Sequence, residues 1–148
     1  MGLTGGCQCG AVRYRLETAP RAVSICHCRM CQKATGSPYG AFANLLSEDL
    51  VFTRGEVKIF ASSEIAERGF CGHCGTPLTY RAVAGSRISV TVCSLDDPDA
   101  APPQAQLDAQ NAVSWVQECL TKPNTPIADY LRSKNIADAG SRQHPDHD

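Results

Sequence analysis

Apolar residues along this chain fall into short runs separated by turn formers. In AVRYRL, Val12, Tyr14 and Leu16 alternate with Arg13 and Arg15, the period of a strand with one buried face. LVFTRGEVKIF reads as two strands around a turn at Arg54–Gly55. SRISVTV alternates Ile88, Val90 and Val92 after Gly85, and GAFANL and TPLTYRAV carry weaker strand patterns. AVSWVQ places Val113 and Trp115 on one face of an expected late strand. One helix is predicted: Thr125 fits the N-cap, Pro126 the first helical position, and Ile127, Tyr130 and Leu131 share one face. DDPDAAPPQAQ, residues 96–106, reads as a Pro-rich loop long enough to lie over another part of the chain. ADAGSRQHPDHD is polar and aperiodic, a mobile tail. The pattern predicts one mostly β domain held by metal over residues 1–122, a short C-terminal helix within 123–137 and a polar tail over 138–148.

The chain has 148 residues, enough for one domain with its own core, and a formal net charge of -1. That balance argues against nucleic acid as a partner. No apolar run approaches a membrane span, and the opening MGLTGGCQCG lacks the basic and apolar regions of a signal peptide. A cytoplasmic protein without a membrane partner is expected.

Nine cysteines change the picture. In a reducing compartment such density points to metal or catalysis, and an odd number leaves one over from any disulfide framework. Seven fall in three clusters: Cys7 and Cys9 in CQC, Cys26, Cys28 and Cys31 in CHCRMC, and Cys71 and Cys74 in CGHC. Extended CxC puts both sulfurs on one face. Zn–S bonds near 2.3 Å place tetrahedral sulfurs roughly 3.7 Å apart, within reach of two converging side chains. CGHCG is a knuckle in which Gly75 supplies the turn. Cys7, Cys9, Cys71 and Cys74 together make a closed, structural tetrahedral site. The triple leaves two readings. It is an open three-ligand site of the catalytic type, or it is closed by a fourth protein ligand, for which Cys93 is the best candidate. In an extended CHC, His27 points away from its neighbours' face, and His73 is aimed outward at the knuckle tip. Cys93 and Cys119 also read as small buried hydrophobes.

GGCQCGAVRY, CHCRMCQKATGS, FTRGEVKIF, RGFCGHCGTPL and SLDDP, with the later Trp115, resemble in order the glutathione-dependent formaldehyde-activating family, which includes the centromere protein V relatives. The resemblance spans roughly residues 5–118 and implies a β-tent of antiparallel strands. It implies a structural zinc at Cys7, Cys9, Cys71 and Cys74 and a catalytic zinc at Cys26, Cys28 and Cys31. It also implies a carbon–sulfur lyase or synthase that forms or cleaves S-hydroxymethylglutathione. The chain departs from the family pattern at Cys93-Ser94 and Ser114, positions that touch none of the seven ligands.

A zinc held by three thiolates is a weak Lewis acid but suits holding an incoming thiol as thiolate. Glutathione carries two carboxylates, so its pocket should hold cations. Arg29, Lys33 and Arg68 lie near the cysteine clusters, and each alone reads as a solvated surface charge. Lys33, directly after the triple, is the first candidate for binding the thiol ligand, with Gly36 and Ser37 as backbone donors and Gln32 as a polar contact. His27 is the nearest candidate acid or base. The alternative function is a non-catalytic zinc-stabilised module that binds a protein partner.

Overall fold

The computed structural model describes residues 2–147. Among them ten strands follow one another: β1 (Thr4–Gly6), β2 (Arg13–Leu16), β3 (Ala22–Cys26), β4 (Gly40–Leu46), β5 (Leu50–Arg54), β6 (Lys58–Ser63), β7 (Ala66–Phe70), β8 (Pro77–Ala82), β9 (Arg87–Thr91) and β10 (Ala105–Leu107). Helix α1 (Arg29–Thr35) sits between β3 and β4, and α2 (Ile127–Ser133) follows the strands. β1, β2 and β5 form a three-stranded antiparallel sheet. The others form a seven-stranded sheet in the order β10-β3-β4-β9-β8-β7-β6, antiparallel except for β10 on β3. The fold is thus mostly β, as expected.

The core lies where one face of each sheet meets the other. Val12, Tyr14 and Leu16 beside and along β2 are buried against Val23, Ala43, Leu45 and Val90 of the larger sheet. Burying each large apolar side chain contributes about 1.5–3 kcal/mol. Arg13, on the polar side of the β2 alternation, is also buried, at 2% exposure. Two hydrogen bonds to Asp96, of 2.8 and 2.6 Å, compensate its charge, and Asp96 also accepts from Thr4 Oγ1 at 2.6 Å.

The two strands of LVFTRGEVKIF form, but they do not pair with each other. β5 joins β2 and β6 joins β7, so the turn at Gly55, where φ is +61°, carries the chain from one sheet to the other. The Pro-rich loop runs alongside β3 at the edge of the large sheet, where Gln104 N–H donates to Val23 O at 2.9 Å, and it leads into β10, whose Leu107 pairs with Cys26.

Some expectations fail locally. The Trp115 region forms no strand: Trp115 is the exposed N-cap of a 3₁₀ helix over Val116–Thr121, and the segment pairs with no sheet edge. Pro126, with ψ at 139°, occupies the N-cap, so α2 starts one residue later than predicted. Cys93 and Cys119 are exposed rather than core residues. The tail lacks regular structure, yet His144 anchors it: its N–H donates to Gln8 O at 2.7 Å. No helix of the described residues is long and apolar enough to cross a membrane.

The opposite face of the large sheet is a platform. Asn44 pairs with Ser89, Ser89 with Tyr80, Tyr80 with Arg68 and Arg68 with Phe60. Directly opposed residues project to the same face, so these five form one row across β4, β9, β8, β7 and β6. Helix α1 stands beside this row.

Candidate metal centres and the adjoining cavity

Cys7 and Cys9 lie in the tight loop after β1. Gly10 N–H closes onto Cys7 O at 3.0 Å, with Gly10 at φ +76°. Cys71 and Cys74 form the knuckle between β7 and β8, closed by Gly75 N–H on Cys71 O at 2.9 Å with Gly75 at φ +80°. Glycine reaches this left-handed backbone without the cost a Cβ imposes. The four sulfurs all lie within 4.8 Å of one another. Cys7 Sγ is 3.6 Å from Cys9 Sγ, and Cys9 Sγ is 3.9 Å from Cys71 Sγ. These separations match the edges of a tetrahedral thiolate site, about 3.7 Å. Val12 N–H donates to Cys7 Sγ at 3.2 Å and His73 N–H to Cys71 Sγ at 3.4 Å, so backbone donors hold both sulfurs in place.

The cluster's protonation fits the same chemistry. At Cys74, burial opposes ionisation, but hydrogen bonds from Thr76 and Cys9 outweigh it and bring the thiol down to about 6. At Cys9, the Ala11 N–H favours thiolate, but desolvation and the bonded thiols of Cys74, Cys7 and Cys71 push it up to about 12. A divalent cation at the centre would replace these shared protons.

Cys26 ends β3, Cys28 is the N-cap of α1 and Cys31 lies in the helix's first turn. Cys28 Sγ caps the helix by accepting from Cys31 N–H at 3.4 Å. The backbone conformation that starts α1 therefore also gathers the three sulfurs, which lie within 4.8 Å of one another. Among the described residues no further cysteine, histidine or carboxylate joins them within that distance. Cys93, the candidate fourth ligand, is not in the group: it is exposed and borders other cavities. Burial pushes Cys26 up to about 12. Burial also opposes the Cys28 thiolate, but hydrogen bonds from the Cys31 and Met30 backbone and from the neighbouring thiols lower it.

His27 turns away from the sulfurs. Its ring is buried edge-on to Tyr39 at 5.7 Å, and Nε2 lies 3.2 Å from Gln106 Oε1 on β10. Gln32 Nε2 donates to His27 O at 2.8 Å and to Asn111 O at 3.2 Å, fastening the cysteine loop to the segment after β10. His27 and Gln32 thus hold the site's frame.

Two adjoining cavities of about 510 and 460 Å³ share Met30, Phe42, Ser62 and Arg68. The second is lined by Cys26, Cys28 and Cys31, with Arg87, Asn44, Ser89 and Tyr80 on the platform. The first is lined by Arg29 and Lys33 of α1. Gly36 borders neither: it is the C-cap at φ +62°, and its N–H and that of Ser37 both point to Gln32 O. Arg68 borders both cavities. Its Nε donates to Ser62 Oγ at 3.0 Å, its guanidinium stacks 4.9 Å from the Tyr80 ring centre, and its Nη2 donates to Cys31 Sγ at 3.4 Å. Arg68 read as a surface charge in the sequence; only the pairing of β6, β7 and β8 reveals its place.

No Asp or Glu lines either cavity, whereas Arg29, Lys33, Arg68 and Arg87 do. In a chain with 15 acidic and 14 basic residues, this separation of charge makes the cavity suited to an anion.

Residues 2–111 match the model of a family described as glutathione-dependent formaldehyde-activating enzyme. A Halomonas elongata protein that carries that description as a provisional name is 31% identical over 127 residues, covering 78% of this chain and 80% of the relative. An uncharacterized lyase of Schizosaccharomyces pombe is 35% identical over 81 residues, covering 55% of this chain and 58% of the relative. The crystal structure of a Rhodobacter sphaeroides protein shares the fold, with a TM-score of 0.55 at 22% identity, covering 70% of this chain and 98% of that one.

Proposed function

The chain belongs to the glutathione-dependent formaldehyde-activating enzyme family, and on that premise we propose that it is a zinc-dependent carbon–sulfur lyase or synthase that joins and separates a glutathione-type thiol and formaldehyde. One observation carries the reading: three convergent cysteines open onto a cavity whose other charged residues are all cationic. Cys7, Cys9, Cys71 and Cys74 would hold a structural zinc, and Cys26, Cys28 and Cys31 a second, catalytic one. Bound there, zinc would supply a place where an incoming thiol is kept as thiolate.

In the synthetic direction the thiol sulfur attacks the aldehyde carbon. A C–S bond forms, the C=O π pair moves to oxygen, and the proton lost by the thiol is balanced by one gained at that oxygen. Arg68, fixed by Ser62 and Tyr80 beside Cys31, is positioned to hydrogen-bond the oxygen as its charge develops. Lys33 and Arg29 would hold one of the substrate's carboxylates at the α1 end of the cavity. Phe42, which is buried, and the more exposed Met30 supply apolar surface beside the cysteines. His27 does not act as acid or base here, because its ring is buried away from the sulfurs.

The test is exchange NMR on an equilibrated mixture of glutathione and labelled formaldehyde. The zinc-loaded protein should accelerate interconversion, and Cys31→Ser should abolish the acceleration without loss of fold. No acceleration by protein carrying both metals would leave the zinc-stabilised binding module as the better reading.

A further inference from the structure

Several arginines outside the cavity, Arg15 and Arg132 among them, pair with carboxylates. Arg13 and Arg81 hold carboxylates, those of Asp96 and Glu67. Cavity-lining Arg29, Arg68 and Arg87 donate instead to Gln32, to Ser62 and Cys31, and to Asn44, none of them a carboxylate. Arg87, at the start of β9, donates from Nη1 to Asn44 Oδ1 at 3.4 Å. Asn44 Nδ2 in turn donates to Ser89 Oγ at 3.1 Å. Residues 87 and 89 share a face of β9, so guanidinium, amide and hydroxyl converge on the platform within the cysteine-lined cavity.

We propose that Arg87, Asn44 and Ser89 form a carboxylate subsite that selects extended, peptide-like thiols. This deepens the reading that a thiol engages Cys26, Cys28 and Cys31. Guanidinium and neutral donors side by side form the fork that a carboxylate fits. The spacing sets the ligand class. Cys26 pairs with Gly40 and Ala22 with Asn44, so the subsite lies four residues along β3 and β4 from the triple. That is about 13 Å between Cα positions, shortened by the reach of Cys26 inward and Arg87 back. A thiol acid with one or two carbons between sulfur and carboxylate does not span it; a short peptide thiol does.

The probes are glutathione, its diethyl ester, S-methylglutathione and mercaptoacetate, titrated calorimetrically into reduced, zinc-loaded protein. Glutathione should bind more tightly than its diester or mercaptoacetate. Arg87→Met should cost glutathione and S-methylglutathione roughly tenfold to a hundredfold in affinity and leave the diester unchanged. Arg87→Lys should recover part of the loss. If S-methylglutathione binds with Arg87 dependence while glutathione shows no additional engagement of the cysteines, the subsite stands and the thiol reading fails. Equal glutathione affinity in wild type and Arg87→Met overturns the subsite, as does the absence of binding by all four probes.

Discussion

Arg68 Nη2 donates to Cys31 Sγ at 3.4 Å, placing a cation from β7 on a cysteine of α1. The contact depends on three elements at once. β6 supplies Ser62, β8 supplies the Tyr80 ring and α1 supplies the sulfur. A flexible arginine is thereby held in one orientation at the edge of the cysteine triple, where a donor can stabilise charge without reorganising during reaction.

Removal of this donor should affect turnover more than binding. Arg68→Met is expected to lower kcat by roughly a hundredfold to a thousandfold. Calorimetric affinity for glutathione should stay close to wild type. Arg68→Lys should recover little, because a lysine restores charge but neither the planar stack on Tyr80 nor the fork shared by Ser62 and Cys31.

The two cysteine clusters should separate stability from activity. Cys71 is fully buried and part of the core, and its cluster ties the loop after β1 to the knuckle between β7 and β8. Cys71→Ser should lose one metal and lower the Tm by more than about 10 °C, measured by calorimetry under reducing conditions. Cys28→Ser should lose the other metal, lower the Tm much less and abolish turnover.

Acid should weaken the Arg13–Asp96 tie. Burial works against the Asp96 carboxylate, but hydrogen bonds from Arg13 and Thr4 outweigh it and hold its pKa below the ordinary carboxylate range. A depressed folded-state pKa contributes stability above the unfolded value, about 3.9, which is lost as pH falls through the folded value. Denaturant titrations of wild type and Asp96→Asn should differ by about 1.5–3 kcal/mol at neutral pH, because the variant weakens the charge-assisted hydrogen bonds that Asp96 accepts from Arg13 and Thr4. The gap should narrow below about pH 4. Both proteins carry the same cysteines, so the difference isolates Asp96.

The tail contact at Gly10 is a fourth test. A Cβ at Gly10 would collide with the His144 ring, and Gly10 is at φ +76°. Gly10→Ala should cost about 1–2 kcal/mol from the left-handed backbone. It should also speed amide exchange at His144, whose N–H is held by Gln8 O.

Where local pattern decided structure, the sequence was legible. The alternation of Val12, Tyr14 and Leu16 identified β2, and cysteine spacing identified both clusters. Helix α1 was missed because it has seven residues and a cysteine N-cap, although Lys33 in its last turn and Gly36 beyond it were usable stop signals. Arg13 read as exposed because its partner, Asp96, is 83 residues away. Arg68 and Arg87 were illegible as cavity residues for the same reason: their positions follow from strand order and register. Trp115 has an apolar pattern compatible with a strand, but no neighbouring edge pairs with it.

The central claim is that Cys26, Cys28 and Cys31 hold an open metal site for a thiol. Native mass spectrometry of freshly reduced protein, with and without glutathione, tests it most directly. The account predicts two zincs per chain and a glutathione adduct; Cys28→Ser should keep one zinc and lose the adduct. A single zinc that added metal does not raise to two, or two zincs with no adduct at saturating glutathione, would contradict it.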